Sequence, residues 1–209
     1  MIQCTVKQLL TNLAQLSPSI STITLTSYVP RPVLSERLSI DSNPSLSPNL
    51  FVHEALRHRG YPSAIEAYPV EMLTDKLAEL PLHGTVRGLC SRVHLLDGTE
   101  AHLPLLDFQC NVNDENAAAL LDAMKLLGQV RGVLATSGKS YHYYGLEPIT
   151  LEKWRRFMAN SILLTPLIDV RYLAHCMIED IACLRIDARP NQHNEPVVVA
   201  VLKENRGAS

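Results

Sequence analysis

The sequence predicts an α+β fold, a mixed or antiparallel sheet with flanking helices. Three observations carry this. Asp97-Gly98 stands between two strand-like runs, the strongest short-range hairpin signal. The runs "STITLTSYV" and "PVVVAVL" near the two ends are β-branched, and the first alternates. Amphipathic segments of helical period lie between them, so hairpins mix with strand–helix units.

Taken in order, residues 5–16 place Val6, Leu9, Leu10, Leu13 and Leu16 on one helical face. "STITLTSYV" follows as a strand. Residues 30–50, rich in Pro and Ser, read as a long irregular connection or a hinge. "LFVHEALRHRG" reads as a helix stopped by Gly60, and "VEMLTDKLAELP" as a second one ended before Pro81. The hairpin runs through "GTVRGLCSRVHLLDGTEAHLPLLDFQC", its second strand reaching Asp107. "NVNDENAAALLDAMKLLG" opens on capping residues, sets Leu120, Leu121, Met124 and Leu127 on one side, and ends at Gly128. "VRGVLAT" is a buried-type strand. "TLEKWRRFMANSILL" is a Thr-capped helix with Trp154, Phe157 and Met158 inward. In "PLIDVRYLAHCMIEDIACLRID", Val170, Leu173, Ala174, Met177, Ile178 and Ile181 form a helical stripe, and "PVVVAVL" closes the chain as a strand. No internal repeat is present. Residues 1–50 are expected to form an N-terminal helical and irregular extension, and 51–209 the α+β domain, packed as one compact unit.

A chain of 209 residues, 46% hydrophobic and 19% charged, can bury a sizeable core without disulfide or metal staples. The net charge of −2 does not announce nucleic acid, although a local basic cleft remains compatible with it. The cysteines, Cys4, Cys90, Cys110, Cys176 and Cys183, are odd in number and contain no CxxC. With no secretory signal, they read as reduced thiols of a cytoplasmic protein. No apolar stretch is long enough for a membrane span.

"TSGKSYHYYG", Thr136 to Gly145, half resembles a P-loop. That motif requires a glycine at the position held by Val133, and Gly132 is one residue out of register. It must also open a helix, so that backbone N–H groups and the helix dipole meet the phosphates, whereas "YHYYG" is aromatic and strand-like. The stretch reads instead as a strand–loop–strand able to hold phosphate. Tyr141, Tyr143 and Tyr144 are candidates for base stacking. Alternation puts Tyr141 and Tyr143 on one face and Tyr144 on the other, so two of the three are expected to pack.

Four polar spots sit at the ends of apolar elements. Asp107 and Gln109 follow "HLPLL" and share a strand face by alternation. Ser137, Lys139 and His142 follow "VLAT", Asp169 follows "LTPLI", and Arg185 lies in "CLRI". Carboxylates from separate strand ends can share Mg²⁺ or Mn²⁺, because hard cations want oxygen ligands. Ser, Lys, His and Arg side chains can hold phosphate oxygens. This is an inventory for metal-dependent nucleotidyl transfer. Each residue also has a plainer role: Asp169 as the N-cap of the following helix, Asp107 as a strand-end acid, Arg185 in a surface ion pair. "HEALRHRG" reads as a solvated basic face rather than a metal site.

The order hhD-x-(D/E), S-G-x-x-x-H, hhD, LR(I/L) over roughly residues 85–202 resembles the archaeo-eukaryotic primase (primase-polymerase) superfamily. The resemblance implies a primase-like catalytic core acting in DNA replication or repair. In it Asp107 and Asp169 would be catalytic metal-binding acids, and Ser137 and His142 triphosphate contacts. Arg185 would be the arginine of the closing segment. The chain departs from the pattern at Gln109, where the superfamily has an acid; as an amide it would be a weak, neutral ligand. Asp187 is a rival for the third-motif acid. The implied cofactor is Mg²⁺ or Mn²⁺, and the implied partners are a nucleoside triphosphate and DNA or RNA. Two alternatives stand beside this: an inactive member that binds nucleotide or nucleic acid without chemistry, and a structural, partner-binding protein without ligand.

Overall fold

A computed structural model describes residues 4–29, 64–136, 138–188 and 194–203. The Pro- and Ser-rich stretch 30–50, the "LFVHEALRHRG" segment and Ser137 lie outside the described residues.

The chain starts with a capping box. Thr5 Oγ1 accepts from the Gln8 N–H, and Gln8 Oε1 accepts from the Thr5 N–H, which opens helix α1, Val6–Thr11. Asn12 interrupts the predicted helix, and α2 follows at Leu13–Leu16. Val6, Leu10 and Leu13 are fully buried.

Every described strand pairing is antiparallel, and the pairings make two sheets. The first contains β1 (Ile20–Tyr28), β2 (Ala64–Pro69), β3 (Val86–Leu95), β4 (Glu100–His102) and β8 (Cys183–Arg185). Its order is β2-β1-β3-β4, and β8 also pairs with β3. The second contains β5 (Leu105–Asp107), β6 (Gly132–Thr136), β7 (Tyr141–Gly145) and β9 (Val197–Leu202), in the order β5-β7-β6-β9. β1 is thus an interior strand of the first sheet, so residues 4–29, which the sequence suggests as an extension, are built into the same fold.

The Asp97-Gly98 hairpin joins β3 to β4, with Gly98 at φ 83°, a left-handed turn position that favours glycine. The run beyond it is not one strand. It breaks at Leu103-Pro104 and crosses from the first sheet to the second. Proline has no N–H to give a ladder, so it sits where pairing stops. Its carbonyl still accepts from the Gly145 N–H at 2.7 Å.

The helices α3 (Leu73–Ala78), α4 (Asp114–Leu126), α5 (Leu151–Ser161) and α6 (Val170–Glu179) flank the sheets. Asn113 caps α4 through the Asn116 N–H, and Gly128, at φ 79°, follows its end. Thr150 caps α5, which buries Trp154, Phe157 and Met158 as its periodicity predicts. α6 differs from expectation. Its inward edge is Leu173 and Cys176, whereas Val170, Ala174, Met177 and Ile178 are exposed. The phase is set at both sides of its first turn: Asp169 caps it, and the Tyr172 hydroxyl donates to the Leu105 carbonyl at 3.1 Å.

One core runs through both sheets and the helices, from Val6 and Leu89 to Leu105, Tyr143, Trp154 and Leu184. All three tyrosines of "YHYYG" belong to it, at 1% exposure or less, which overturns their reading as a stacking platform. Tyr143 lies over Gly132, diagonally across the β6–β7 pair, and its ring occupies the space a Cβ at Gly132 would need. Among the described residues no helix is long and apolar enough to cross a membrane.

Candidate functional site

The candidate residues lie where the two sheets meet. In the β5–β7 ladder Asp107 is the register partner of His142. Directly opposed residues project from the same face. His142 Nε2 accordingly lies 3.4 Å from Asp107 Oδ1, with the imidazole buried and the carboxylate about one-third exposed. The third motif joins on the other side: the Asp169 N–H donates to the Asp107 carbonyl at 3.0 Å, beside a bridge between Phe108 and Ile168. Asp169 keeps its expected cap, with Oδ1 accepting from the Arg171 and Tyr172 N–H groups at 3.0 Å each.

Arg185 reaches the same place through Tyr144, which the sequence sets on the opposite face from Tyr141 and Tyr143. Tyr144 is two positions from His142 on β7, so both point to one face. His142 Nδ1 is 3.0 Å from the Tyr144 hydroxyl, which is 2.6 Å from the Arg185 carbonyl. Burial pushes the Tyr144 phenol well above its ordinary pKa, although the Arg185 charge opposes the shift. The phenol therefore keeps its proton. A carbonyl can only accept, so that proton goes to Arg185, and the hydroxyl must accept from His142 Nδ1–H. This fixes the tautomer: Nε2 is the nitrogen turned to Asp107, and a second proton there makes the contact an ion pair.

The Arg185 guanidinium is itself buried, and Nη1 donates to the Asp187 carbonyl. Asp187 is a structural ion-pair residue. It is 3% exposed, its Oδ2 accepts from Arg87 Nε at 2.9 Å and from the Arg87 N–H at 2.8 Å, and its Oδ1 accepts from Arg87 Nη2 at 3.0 Å. Lys7 Nζ adds a contact at 3.1 Å. Burial works to raise the Asp187 carboxyl, but the Arg87 bonds and charge, with Lys7, outweigh it and hold the pKa below the usual range. A carboxylate committed to two cations is a poor metal ligand, which counts against Asp187 as a rival metal-binding acid.

Gln109 has a local occupation that its sequence context did not reveal. Its amide nitrogen donates to the Pro166 carbonyl at 2.9 Å and the Ile168 carbonyl at 3.1 Å. Its own N–H donates to the Leu167 carbonyl at 2.9 Å. The side chain thus clasps the loop leading to Asp169, a task that needs two donors and that an acid could not perform. Lys139 is exposed in the β6–β7 loop, next to Gly138 at φ 114°.

As a metal site, these residues offer the Asp107 and Asp169 carboxylates on neighbouring backbone and the Gln109 amide oxygen. Among the described residues no three or more His, Cys, Asp or Glu side chains gather as a metal-holding group. The donor set is hard oxygen and suits Mg²⁺ or Mn²⁺ over a soft metal, with few enough protein ligands that nucleotide phosphates would supply others.

No curated protein and no solved structure matches the chain. A family model described as archaeo-eukaryotic primase 1D-like matches residues 68–198, from the end of β2 into β9. That span takes in all four motifs and more than half of the 209 residues. The chain belongs to the AEP-like family, archaeo-eukaryotic primase 1D-like.

Proposed function

We propose that the junction of the two sheets binds a nucleoside triphosphate with Mg²⁺ or Mn²⁺, and that the reaction it would serve is nucleotidyl transfer to a hydroxyl on DNA or RNA. The observation that carries this reading is the Asp107–His142 register pair, with Asp169 bonded to the same strand end. Asp107 and Asp169 would hold the cation, with Gln109 as a weak third ligand through its amide oxygen. The bound cation would neutralise charge on the phosphates. His142, presenting Nε2, would donate to a phosphate oxygen once protonated. Ser137 and Lys139 would reach the phosphates from the loop between β6 and β7, and Arg185 would add positive charge to the buried wall.

A second reading, nucleotide binding without chemistry, is favoured by the Gln109 clasp. A neutral side chain in place of an acid lowers the charge available to hold a cation, and here the exchange serves the loop instead.

Calorimetric titration with a nucleoside triphosphate, with and without Mn²⁺, tests the binding. Saturation at a hundredfold excess over Kd should stabilise the fold by about 2.7 kcal/mol. Asp107→Asn should weaken the Mn²⁺-dependent part. No heat and no change in melting temperature at millimolar nucleotide would overturn the proposal. Extension of a labelled primer then separates transfer from binding alone.

A further inference from the structure

Two residues before Arg185, β8 brings two thiols together from distant parts of the chain. Cys90 on β3 and Cys183 on β8 are register partners. The ladder around them fixes which kind of pair they form. The Ser91 N–H donates to the Ala182 carbonyl at 2.7 Å, and the Ile186 N–H donates to the Arg87 carbonyl at 3.0 Å. Hydrogen-bonded and non-hydrogen-bonded pairs alternate along an antiparallel ladder. The pairs 91/182 and 87/186 belong to the first kind, so Cys90 and Cys183 form a pair of the second. Such pairs have Cα atoms about 4.5 Å apart and the closer side chains. That lies inside the range of about 4.4–6.8 Å that a disulfide requires. The two sulfurs, both free thiols, are already 2.7 Å apart, one donating to the other.

We propose that Cys90 and Cys183 are an oxidative modification site, closed to a cross-strand disulfide by a hydroperoxide. Cys183 is the more exposed of the two and is the sulfur oxidised first. Its thiolate takes the distal peroxide oxygen, the O–O bond breaks, and water or an alcohol leaves, so Cys183 becomes a sulfenic acid. The Cys90 sulfur then displaces the sulfenic oxygen as water, forming the S–S bond. Two thiols lose two electrons and two protons in all, and the peroxide is reduced by two electrons. The Cys90 hydrogen bond and burial hold Cys183 well above the ordinary thiol pKa. Thiolate is therefore scarce at neutral pH, and the reaction should quicken as pH rises. Cys176 is the competing partner, since it lies close enough to Cys183 to share a backbone hydrogen bond with it. It projects from a helix, outside the ladder that aligns the other two.

The test treats the folded, full-length chain with hydrogen peroxide, quenches free thiols by alkylation and digests without reductant. The expected product is one peptide joining Cys90 to Cys183, lighter by two hydrogens than its parts and separated by dithiothreitol. Its rate of formation should climb with pH, and the oxidised chain should melt at a higher temperature. Cys183→Ser should remove the product, as should Cys90→Ser. A product joining Cys176 to Cys183 would overturn the assignment. So would independent over-oxidation of Cys90 and Cys183 with no cross-link in the native parent, a result that needs no variant to fold.

Discussion

His142 is held between an acid and a phenol: Nε2 lies 3.4 Å from Asp107 Oδ1, and Nδ1 lies 3.0 Å from the Tyr144 hydroxyl. One strand's alternation and one register therefore decide the tautomer of the imidazole. A partly exposed acid is thereby paired with a buried imidazole.

Tyr144→Phe keeps the ring and removes the hydroxyl. The Arg185 carbonyl then loses its donor and His142 Nδ1–H its acceptor, both in buried surroundings. Leaving buried polar groups unpaired costs about 1–3 kcal/mol. Urea denaturation should show a loss of that size, and ¹⁵N NMR of the imidazole should show a tautomer no longer fixed at Nδ1–H. Unchanged stability together with an unchanged imidazole spectrum would show that the phenol does not hold the ring.

Gln109→Glu exchanges a double donor for a carboxylate facing two carbonyl oxygens. Without metal the variant should be less stable by about 1 kcal/mol or more, from lost hydrogen bonds and new repulsion. With Mn²⁺ it should recover part of that loss, because the new carboxylate attracts the ion more strongly than an amide does. Midpoints equal to those of the parent in both conditions would refute the clasp and the shared ion together.

Asp187→Asn leaves Arg87 buried without its counter-charge. Removing one partner of a buried pair costs about 3–5 kcal/mol. The pH dependence has a definite sign. The Asp187 pKa is lowered in the fold, so the unfolded chain binds the proton more readily. The stabilisation is present above the unfolded carboxyl pKa of about 3.9 and is lost as pH falls through the lower folded value. The parent should lose this increment in acid below about pH 4, and Asp187→Asn should not.

His102 gives a second pH signature at milder acidity. It is 1% exposed, with Nδ1 3.2 Å from Ser91 Oγ and its ring against Trp154. Burial lowers its pKa, with the Glu100 charge opposing. The unfolded chain therefore takes up the proton first as pH falls through about 6.5. Stability should decline from there down through the folded pKa, and His102→Gln should flatten the decline. Thermal melts across that range give the comparison.

Much of this architecture can be read from local signals. Asn113 and Gly128 bound α4, Asp97-Gly98 marks the hairpin, and Trp154 and Met158 show the inner face of α5. These features need only neighbours in sequence. The sheet crossing at Leu103-Pro104 was open to detection, since a proline inside an apolar run argues against a continuous strand. The inner edge of α6 was not, because its phase depends on Tyr172 reaching Leu105. The site divides in the same way. Asp107 and His142 stand out as polar ends of apolar runs, and the order of the motifs brings in Asp169. The Arg87–Asp187 pair joins residues a hundred positions apart. Its only local trace is an arginine set in a buried strand, a place where that residue type requires a partner.

Gly132 and Tyr143 carry an evolutionary consequence. Because the Tyr143 ring fills the space beside the Gly132 Cα, residue 132 cannot gain a side chain while that ring stays. Lineages of this family in which residue 132 acquires a side chain should carry a smaller residue at 143, and those that keep the phenol should keep the glycine. An alignment of diverged members should show the two columns co-varying, and a glycine that looks like a remnant of phosphate binding would prove to be inherited with its tyrosine.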